Sequence, residues 1–83
     1  MRFNAFIEVR LKPGYSDPEG ETTRASLRDL NYDVERVDVS KVYRVTFNAE
    51  NVKEAERAVE EMCIRLLANP TKDDYRYEIS VAT

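Results

Sequence analysis

The sequence predicts an α+β fold, a two-layer sandwich in which two helices cover one face of an antiparallel or mixed sheet of three to four strands. Three observations support this class. Apolar and polar residues alternate over 3–11 and again over 75–81, as they do in half-buried strands. Between these segments, residues 52–67 place apolar side chains at helical spacing. The element order is therefore strand, helix, strand or strands, helix, strand, in one domain over 1–83.

The first strand shows the two-residue period most clearly. Apolar residues occupy the odd positions from Phe3 to Leu11, and Phe6 is the one apolar residue out of phase. Pro13-Gly14 ends the pattern, because proline cannot donate to a strand ladder and glycine suits a turn.

A first helix is expected to begin at the segment DPEG. Asp17 is a good N-cap, Pro18 suits the first helical position, and Glu19 complements the helix dipole. Asn31 is placed to end the helix. Four residues are expected on its inner side: Thr23, Ala25, Leu27 and Leu30.

The segment 34–47 has a strand pattern with one irregularity. The odd positions that share one apolar face are Val37, Val39, Tyr43, Val45 and Phe47. Lys41 breaks this phase, which leaves two interpretations: a hairpin with its turn at Ser40-Lys41, or one long strand bent by a bulge. We favour the bent strand, because Ser-Lys is poor chemistry for a two-residue hairpin turn.

The second helix is the strongest element. Asn51 can cap its start and Glu54 stands three residues later, while Asn69, in a left-handed conformation, and Pro70 are expected to stop it. Its buried stripe is expected to consist of Val52, Ala55, Val59, Met62, Cys63, Leu66 and Leu67. A polar link over 71–74 then leads into the last strand.

Length and charge limit the function classes. With 83 residues, only about 60–65% of the unfolded chain's surface can be buried on folding, so association with a second copy would add stability. The net charge is −3 and charged residues of both signs are interspersed, which argues against nucleic acid or an anionic membrane as partner. No apolar run approaches the ~20 residues of a membrane span, and we expect a cytoplasmic protein.

The inventory of chemically reactive residues is small. The chain has no histidine and one cysteine, Cys63, so it lacks the commonest general base and cannot build a thiolate zinc site. No catalytic, metal-binding or cofactor-binding residue is predicted. Cys63 is best explained as a small apolar side chain of the second helix.

Five fragments in order resemble the PurS family, the small subunit of phosphoribosylformylglycinamidine synthase. They are LKPG at 11–14, DPEG at 17–20, VERVDVSK at 34–41, MCIRLLANP at 62–70, and DDYRYEI at 73–79. The resemblance covers essentially the whole chain. Its family-motif residues, which we regard as possible interface residues, are Asp17, Pro18, Glu19, Gly20, Lys41, Met62, Cys63, Asn69, Pro70 and Tyr75.

The resemblance implies a non-catalytic accessory subunit in de novo purine biosynthesis. In the separated-subunit enzyme, a large subunit (PurL) binds formylglycinamide ribonucleotide (FGAR) and ATP, and a glutaminase subunit (PurQ) releases ammonia. The small subunit bridges the two and assists ammonia transfer as the ligase forms formylglycinamidine ribonucleotide (FGAM). ATP and Mg²⁺ are then used by the complex and not bound by this chain, which is expected to be a homodimer or homotetramer.

Two other function classes remain as alternatives. One is a small ligand-sensing or RNA-binding module on a ferredoxin-like sandwich, which the element order also resembles in outline. An RNA reader of that shape needs aromatic and basic residues together on the open sheet face, whereas the strand aromatics here share the phase of the core. The other is a stand-alone enzyme, which the residue inventory disfavours.

Overall fold

Three strands and two helices make up the structure, a computed structural model that describes residues 1–83. The elements are β1 (Arg2–Leu11), α1 (Pro18–Asp29), β2 (Ser40–Asn48), α2 (Val52–Met62), a π-helical turn (Cys63–Leu67) that continues α2, and β3 (Asp73–Val81). This order confirms the predicted α+β class. Neither helix combines the length and the apolar character needed to cross a membrane.

The sheet is antiparallel and has the order β2-β1-β3. In its centre, Ile7 of β1 lies opposite Tyr43 of β2 and Tyr77 of β3. The alternation in β1 is confirmed, because its odd-numbered side chains are buried on one face. The buried core residues are Phe3, Ala5, Ile7 and Val9 from β1, Ala55 and Val59 from α2, and Cys63 and Ala68 after it. The core therefore lies between β1 and α2.

The π-helical turn changes which residues of the second helix face the sheet. The Ala68 N–H donates to the Cys63 carbonyl over 2.9 Å, a bond that spans five residues instead of four. The wider turn contains one more residue than an α-helical turn, so the next residue that faces the core after Cys63 is Ala68. Ala68 is therefore buried, whereas the Leu66 side chain is 83% exposed. The prediction that Leu66 belongs to the buried stripe is wrong. Val52, in the first turn, is also exposed, and Met62 is half-buried.

Helix ends follow the predicted chemistry at three of four positions, and one of the three is Asp17, the N-cap of α1. Asn51 caps α2, since its Oδ1 accepts from the Glu54 N–H over 2.9 Å. Asn31 ends α1 in the left-handed region, at φ 70°, where its N–H donates to the carbonyl of Arg28. The left-handed stop at Asn69 is wrong. Its side-chain Oδ1 instead accepts from two backbone N–H groups of the following turn, those of Thr71 and Lys72.

The segment 34–47 is neither a hairpin nor one strand throughout. The strand β2 begins at Ser40, and residues 32–39 have no regular secondary structure and pair with no strand. The phase break at Lys41 therefore lies where the chain enters the sheet. Tyr43, Val45 and Phe47 pack against the core as predicted.

Residues 17–39 form an arm in which α1 is bound to the irregular segment that follows it. The Asp17 carboxylate joins the two halves, because Oδ1 accepts from the Gly20 N–H and Oδ2 from the Val39 N–H, each over 2.9 Å. Gly20 is the one buried residue of α1, and a Cβ there would collide with the Val37 carbonyl oxygen. Thus the absence of a side chain at Gly20 allows the two halves to approach.

The arm stands away from the sheet. The helix that covers the sheet is α2, whereas α1 packs extensively against no other element. The radius of gyration is 16.4 Å, although a compact chain of this length has about 12 Å. The expectation that both helices cover one face therefore holds for α2 but not for α1 within a single chain. Three of the four residues expected on the inner side of α1 are exposed: Thr23, Ala25 and Leu30.

We expect Gly20→Ala to loosen the arm, because the added methyl group overlaps the Val37 carbonyl. The arm should be destabilised by about 1–3 kcal/mol, the usual cost of overpacking. Hydrogen exchange measures this directly, since the Val39 amide is protected by the Asp17 carboxylate and should exchange faster in the variant. The exposed Ser26→Ala on the same helix is the control and should leave exchange unchanged. Unaltered protection of Val39 in Gly20→Ala would contradict this account of the arm.

Candidate functional site

The surfaces that carry the family-motif residues lie at one end of the sheet and along the two flanks of α2. No group of three or more histidine, cysteine, aspartate or glutamate side chains is arranged to hold a metal ion. The candidate site is therefore a set of contact surfaces.

The first surface lies where the arm leaves the sheet. Asp17, Glu19 and Lys41 line one cavity of about 250 Å³, although they are distant in sequence. Hydrogen bonds from the N–H groups of Gly20 and Val39 hold the pKa of Asp17 below its usual value. Pro18 occupies the first turn of α1, as the motif predicts.

The loop after the π-helical turn lies at the same end of the sheet. Lys12, which follows β1, donates from its Nζ to the Pro70 carbonyl over 3.2 Å and from its backbone N–H to the Lys72 carbonyl over 2.7 Å. The Asn69 N–H donates to the Asp73 carboxylate over 2.8 Å. These bonds fix the loop, so that Asn69 and Pro70 are presented on the surface beside the base of the arm.

The second surface is the flank of α2 that faces β3, and this flank is polar. The Tyr75 hydroxyl donates to the Glu60 Oε1 over 2.7 Å, and this bond, with smaller contributions from burial and charge, raises the pKa of Tyr75 to about 12. The same carboxylate raises the pKa of Tyr77 to about 12, although only the Tyr75 hydroxyl makes a well-formed hydrogen bond with it. Burial and the charge of Glu60 raise the pKa of Cys63, which keeps its thiol protonated. Cys63 is fully buried, which supports its role in packing.

The third surface is the flank of α2 that faces β2, where an apolar groove of about 490 Å³ runs along the helix. We call it the α2 groove; its apolar lining residues are Val45, Ala58, Met62, Leu66 and Leu67, with Glu61 and Arg65 at its rim. Of these, only Met62 was predicted as a possible interface residue. The signal for the groove was an excess of apolar residues over 62–68, more than one helical face can bury.

The sheet face opposite α2 is open and mostly polar. Phe6, the residue out of phase in β1, lies on it between Arg44 and Glu78 and lines a cavity of about 480 Å³. Arg76 and Glu8 form an ion pair on this face at 2.7 Å, which raises the pKa of Arg76. The charges of this face are therefore partly neutralised by neighbours across the strands.

Tyrosine ionisation tests the geometry at the polar flank. In the native protein two of the five tyrosines should titrate near 12, and Glu60→Gln should move both toward 10, because the substitution removes the carboxylate charge. A folded pKa above the unfolded value stabilises the fold below pH 10, and this contribution is lost as the pH rises toward 12. Absorbance of tyrosinate against pH is the measurement. Glu61→Gln, which removes an exposed carboxylate from the same helix, is the control; equal effects of the two would refute the assignment.

The dependence of thermal stability on pH in acid tests the role of Asp17. Because its folded pKa lies below the unfolded value, its contribution to stability is present above about pH 3.9 and is lost as the pH falls further. Asp17→Ala should therefore lower the thermal midpoint at pH 7, and the difference from the native protein should shrink in strong acid. Asp29→Ala, which removes a carboxylate from the other end of α1, is the control. A difference from the native protein that does not change with pH would contradict this role.

Comparison with known proteins identifies the family to which this chain belongs. The family model described as PurS, phosphoribosylformylglycinamidine (FGAM) synthase, matches residues 4–81. The PurS subunit of phosphoribosylformylglycinamidine synthase from Archaeoglobus fulgidus is 44% identical over 72 residues, which are 86% of this chain and 90% of that protein.

Two solved structures have the same fold. Thermus thermophilus PurS superimposes with a TM-score of 0.87 at 38% identity, and the match covers all of both chains. A chain of the structure of PurLQS from Thermotoga maritima matches with a TM-score of 0.86 at 28% identity, over 96% of this chain and 99% of that one. The present chain therefore belongs to the PurS family of phosphoribosylformylglycinamidine synthase.

Proposed function

We propose that this chain is the non-catalytic accessory subunit of a phosphoribosylformylglycinamidine synthase complex in de novo purine biosynthesis. It bridges the synthetase subunit (PurL) and the glutaminase subunit (PurQ) and assists ammonia transfer during the ATP- and glutamine-dependent conversion of FGAR to FGAM. The observation that carries this proposal is the match along nearly the whole chain to PurS proteins, one of them in the PurLQS structure from Thermotoga maritima. ATP and Mg²⁺ act at the other subunits, and the complex is cytoplasmic.

The surfaces of the chain suit a bridging role. A subunit that joins two others needs at least two rigid faces, and here the base of the arm, the α2 groove and the open sheet face point in different directions from one small core. We propose that the base of the arm, with Asp17, Glu19 and Lys41 beside Asn69 and Pro70, contacts one of the catalytic subunits. Exposed apolar residues on the arm and in the groove support a homo-oligomer, a dimer or tetramer.

The alternative of an RNA-binding module is not favoured. Such a module stacks bases on several aromatic side chains of an open sheet face. Four strand aromatics lie on the helix side of this sheet instead: Tyr43, Phe47, Tyr75 and Tyr77. On the open face, Phe6 stands beside two cross-strand neighbours of opposite charge, Arg44 and Glu78. This face offers neither a stacking platform nor a basic surface.

Reconstitution tests the proposed function. FGAM formation is measured with purified PurL and PurQ of the same organism, with glutamine or with ammonia as nitrogen donor, in the presence and absence of this chain. Glutamine-driven activity should fall at least about tenfold without the chain, an effect of about 1.4 kcal/mol, whereas ammonia-driven activity should persist. Full glutamine-driven activity in its absence would refute the bridging role.

The base of the arm can be tested in the same assay. Lys41→Glu reverses a charge at the proposed contact and should weaken the glutamine-driven reaction, while the exposed Arg57→Glu on α2 makes the same charge change elsewhere and should not. Equal activities of the two variants would show that this end of the sheet is not the contact.

A further inference from the structure

We infer that the outer edge of β3 binds an extended segment of one of the catalytic subunits. This segment joins the sheet as a fourth strand and carries lysine or arginine on the side that faces α2. The inference rests on the proposed function and adds a second contact to the one at the base of the arm. It is supported by the backbone groups that β3 leaves unpaired and by the negative charge of the adjoining flank of α2.

The backbone of β3 has unpaired hydrogen-bonding groups along its outer edge. At the end of the β1–β3 ladder, the Ala82 N–H donates to the Arg2 carbonyl over 2.8 Å. Hydrogen-bonded pairs alternate along an antiparallel ladder, so the even-numbered residues of β3 bond to β1 and the odd-numbered ones point their N–H and C=O groups outward. No strand lies on that outer side. The residues of β3 with both groups directed outward and unpaired are Tyr75, Tyr77, Ile79 and Val81.

This edge lacks the features that usually prevent strand addition. Proteins protect edge strands with proline, with charged side chains or with a covering element. The segment 75–81 contains neither proline nor glycine, and its four outward-facing residues are uncharged. Its charged residues, Arg76 and Glu78, lie on the open face of the sheet. The outer edge of β3 therefore suits an added strand, which would satisfy its free backbone groups.

The flank of α2 beside this edge is acidic. Glu60 accepts a hydrogen bond from the Tyr75 hydroxyl over 2.7 Å, which places its carboxylate over β3. Glu56 precedes it by one helical turn on the same flank and is exposed. Neither carboxylate is neutralised, because the one ion pair within α2 joins Arg57 and Glu61. A strand beside β3 would run next to these two carboxylates, so lysine or arginine on its helix-facing side would bind them.

The same charges disfavour a second copy of this chain at this edge. Two β3 strands paired about a two-fold axis near Tyr77 would place both α2 helices on the same side of a joined sheet. Glu56 and Glu60 of each copy would then approach the same carboxylates of the other, and like charges across an interface weaken association. The occupant is therefore a different protein. The homo-oligomer proposed above leaves this edge open, because the α2 groove lies on the opposite flank.

Hydrogen exchange tests the pairing, measured on the chain alone and on its complex with PurL and PurQ of the same organism. The amides of Tyr75, Tyr77 and Ile79 should exchange at least about tenfold more slowly in the complex, because the added strand accepts their hydrogen bonds. The amides of Arg76 and Glu78 already bond to β1 and are the internal control. Unchanged exchange at the odd-numbered residues would overturn the inference. Equal slowing of both sets would also overturn it, because this indicates coverage without strand pairing.

Charge reversal tests the basic character of the segment. Glu56→Lys should raise the concentration of chain that gives half-maximal glutamine-driven activity by at least about tenfold, because it repels a basic partner. Glu54→Lys makes the same change two residues earlier, on another side of the helix, and is the control. Circular dichroism should show that both variants fold normally. Equal concentrations for the two variants would overturn the inference.

These outcomes are distinct from those that test the proposed function. If glutamine-driven activity requires the chain while the β3 amides stay unprotected, the bridging role stands and the strand addition is wrong. If activity does not require the chain, the bridging role itself is wrong, whatever the exchange of β3.

Discussion

The structure depends on the burial of one face of β1 beneath α2. Phe3, Ile7, Val59 and Cys63 are the largest side chains removed from water, and only 9 of 83 residues are buried in all. Burying an aliphatic or aromatic side chain contributes roughly 1.5–3 kcal/mol, so a core of this size supports a marginal fold. Because β1 is central, both of its neighbours are edge strands, and each apolar surface that α2 does not reach stays in water. The exposed groove and arm follow from this small core.

One backbone irregularity decides the character of the two flanks of α2. The five-residue hydrogen bond from Ala68 to Cys63 rotates the end of the helix, so that Leu66 points away from the sheet and extends the apolar flank beside β2. On the opposite flank, Glu60 accepts from Tyr75 and keeps the surface polar. The two sides of one helix thereby differ in the partners they can accept, although the core beneath them is continuous.

Periodicity in the sequence was enough to predict β1, β3, the start of α2 and the fold class, because these features depend on local alternation and on caps such as Asn51. It failed where the outcome depends on the path of the backbone. The π-helical turn shifts the phase by one residue without any residue type that requires it, so Leu66 was assigned to the core. The segment 34–39 has a strand pattern, but in the structure it pairs with no strand, because a pattern does not ensure that a partner strand is within reach. The site residues at the base of the arm came from family motifs, and their proximity became visible only in three dimensions.

The carboxylate of Asp17 also has a consequence for the mechanics of the arm. Its hydrogen bond with the Val39 N–H joins two residues that are 22 positions apart in the sequence, so that the entry and exit of the arm are held together beside the sheet. The residues between Asp17 and Val39, which include the chain reversal at Asn31, take no part in the pairing of β1 with β2. An insertion or deletion at the tip would therefore alter the reach of the arm and leave the pairing of β1 with β2 unchanged.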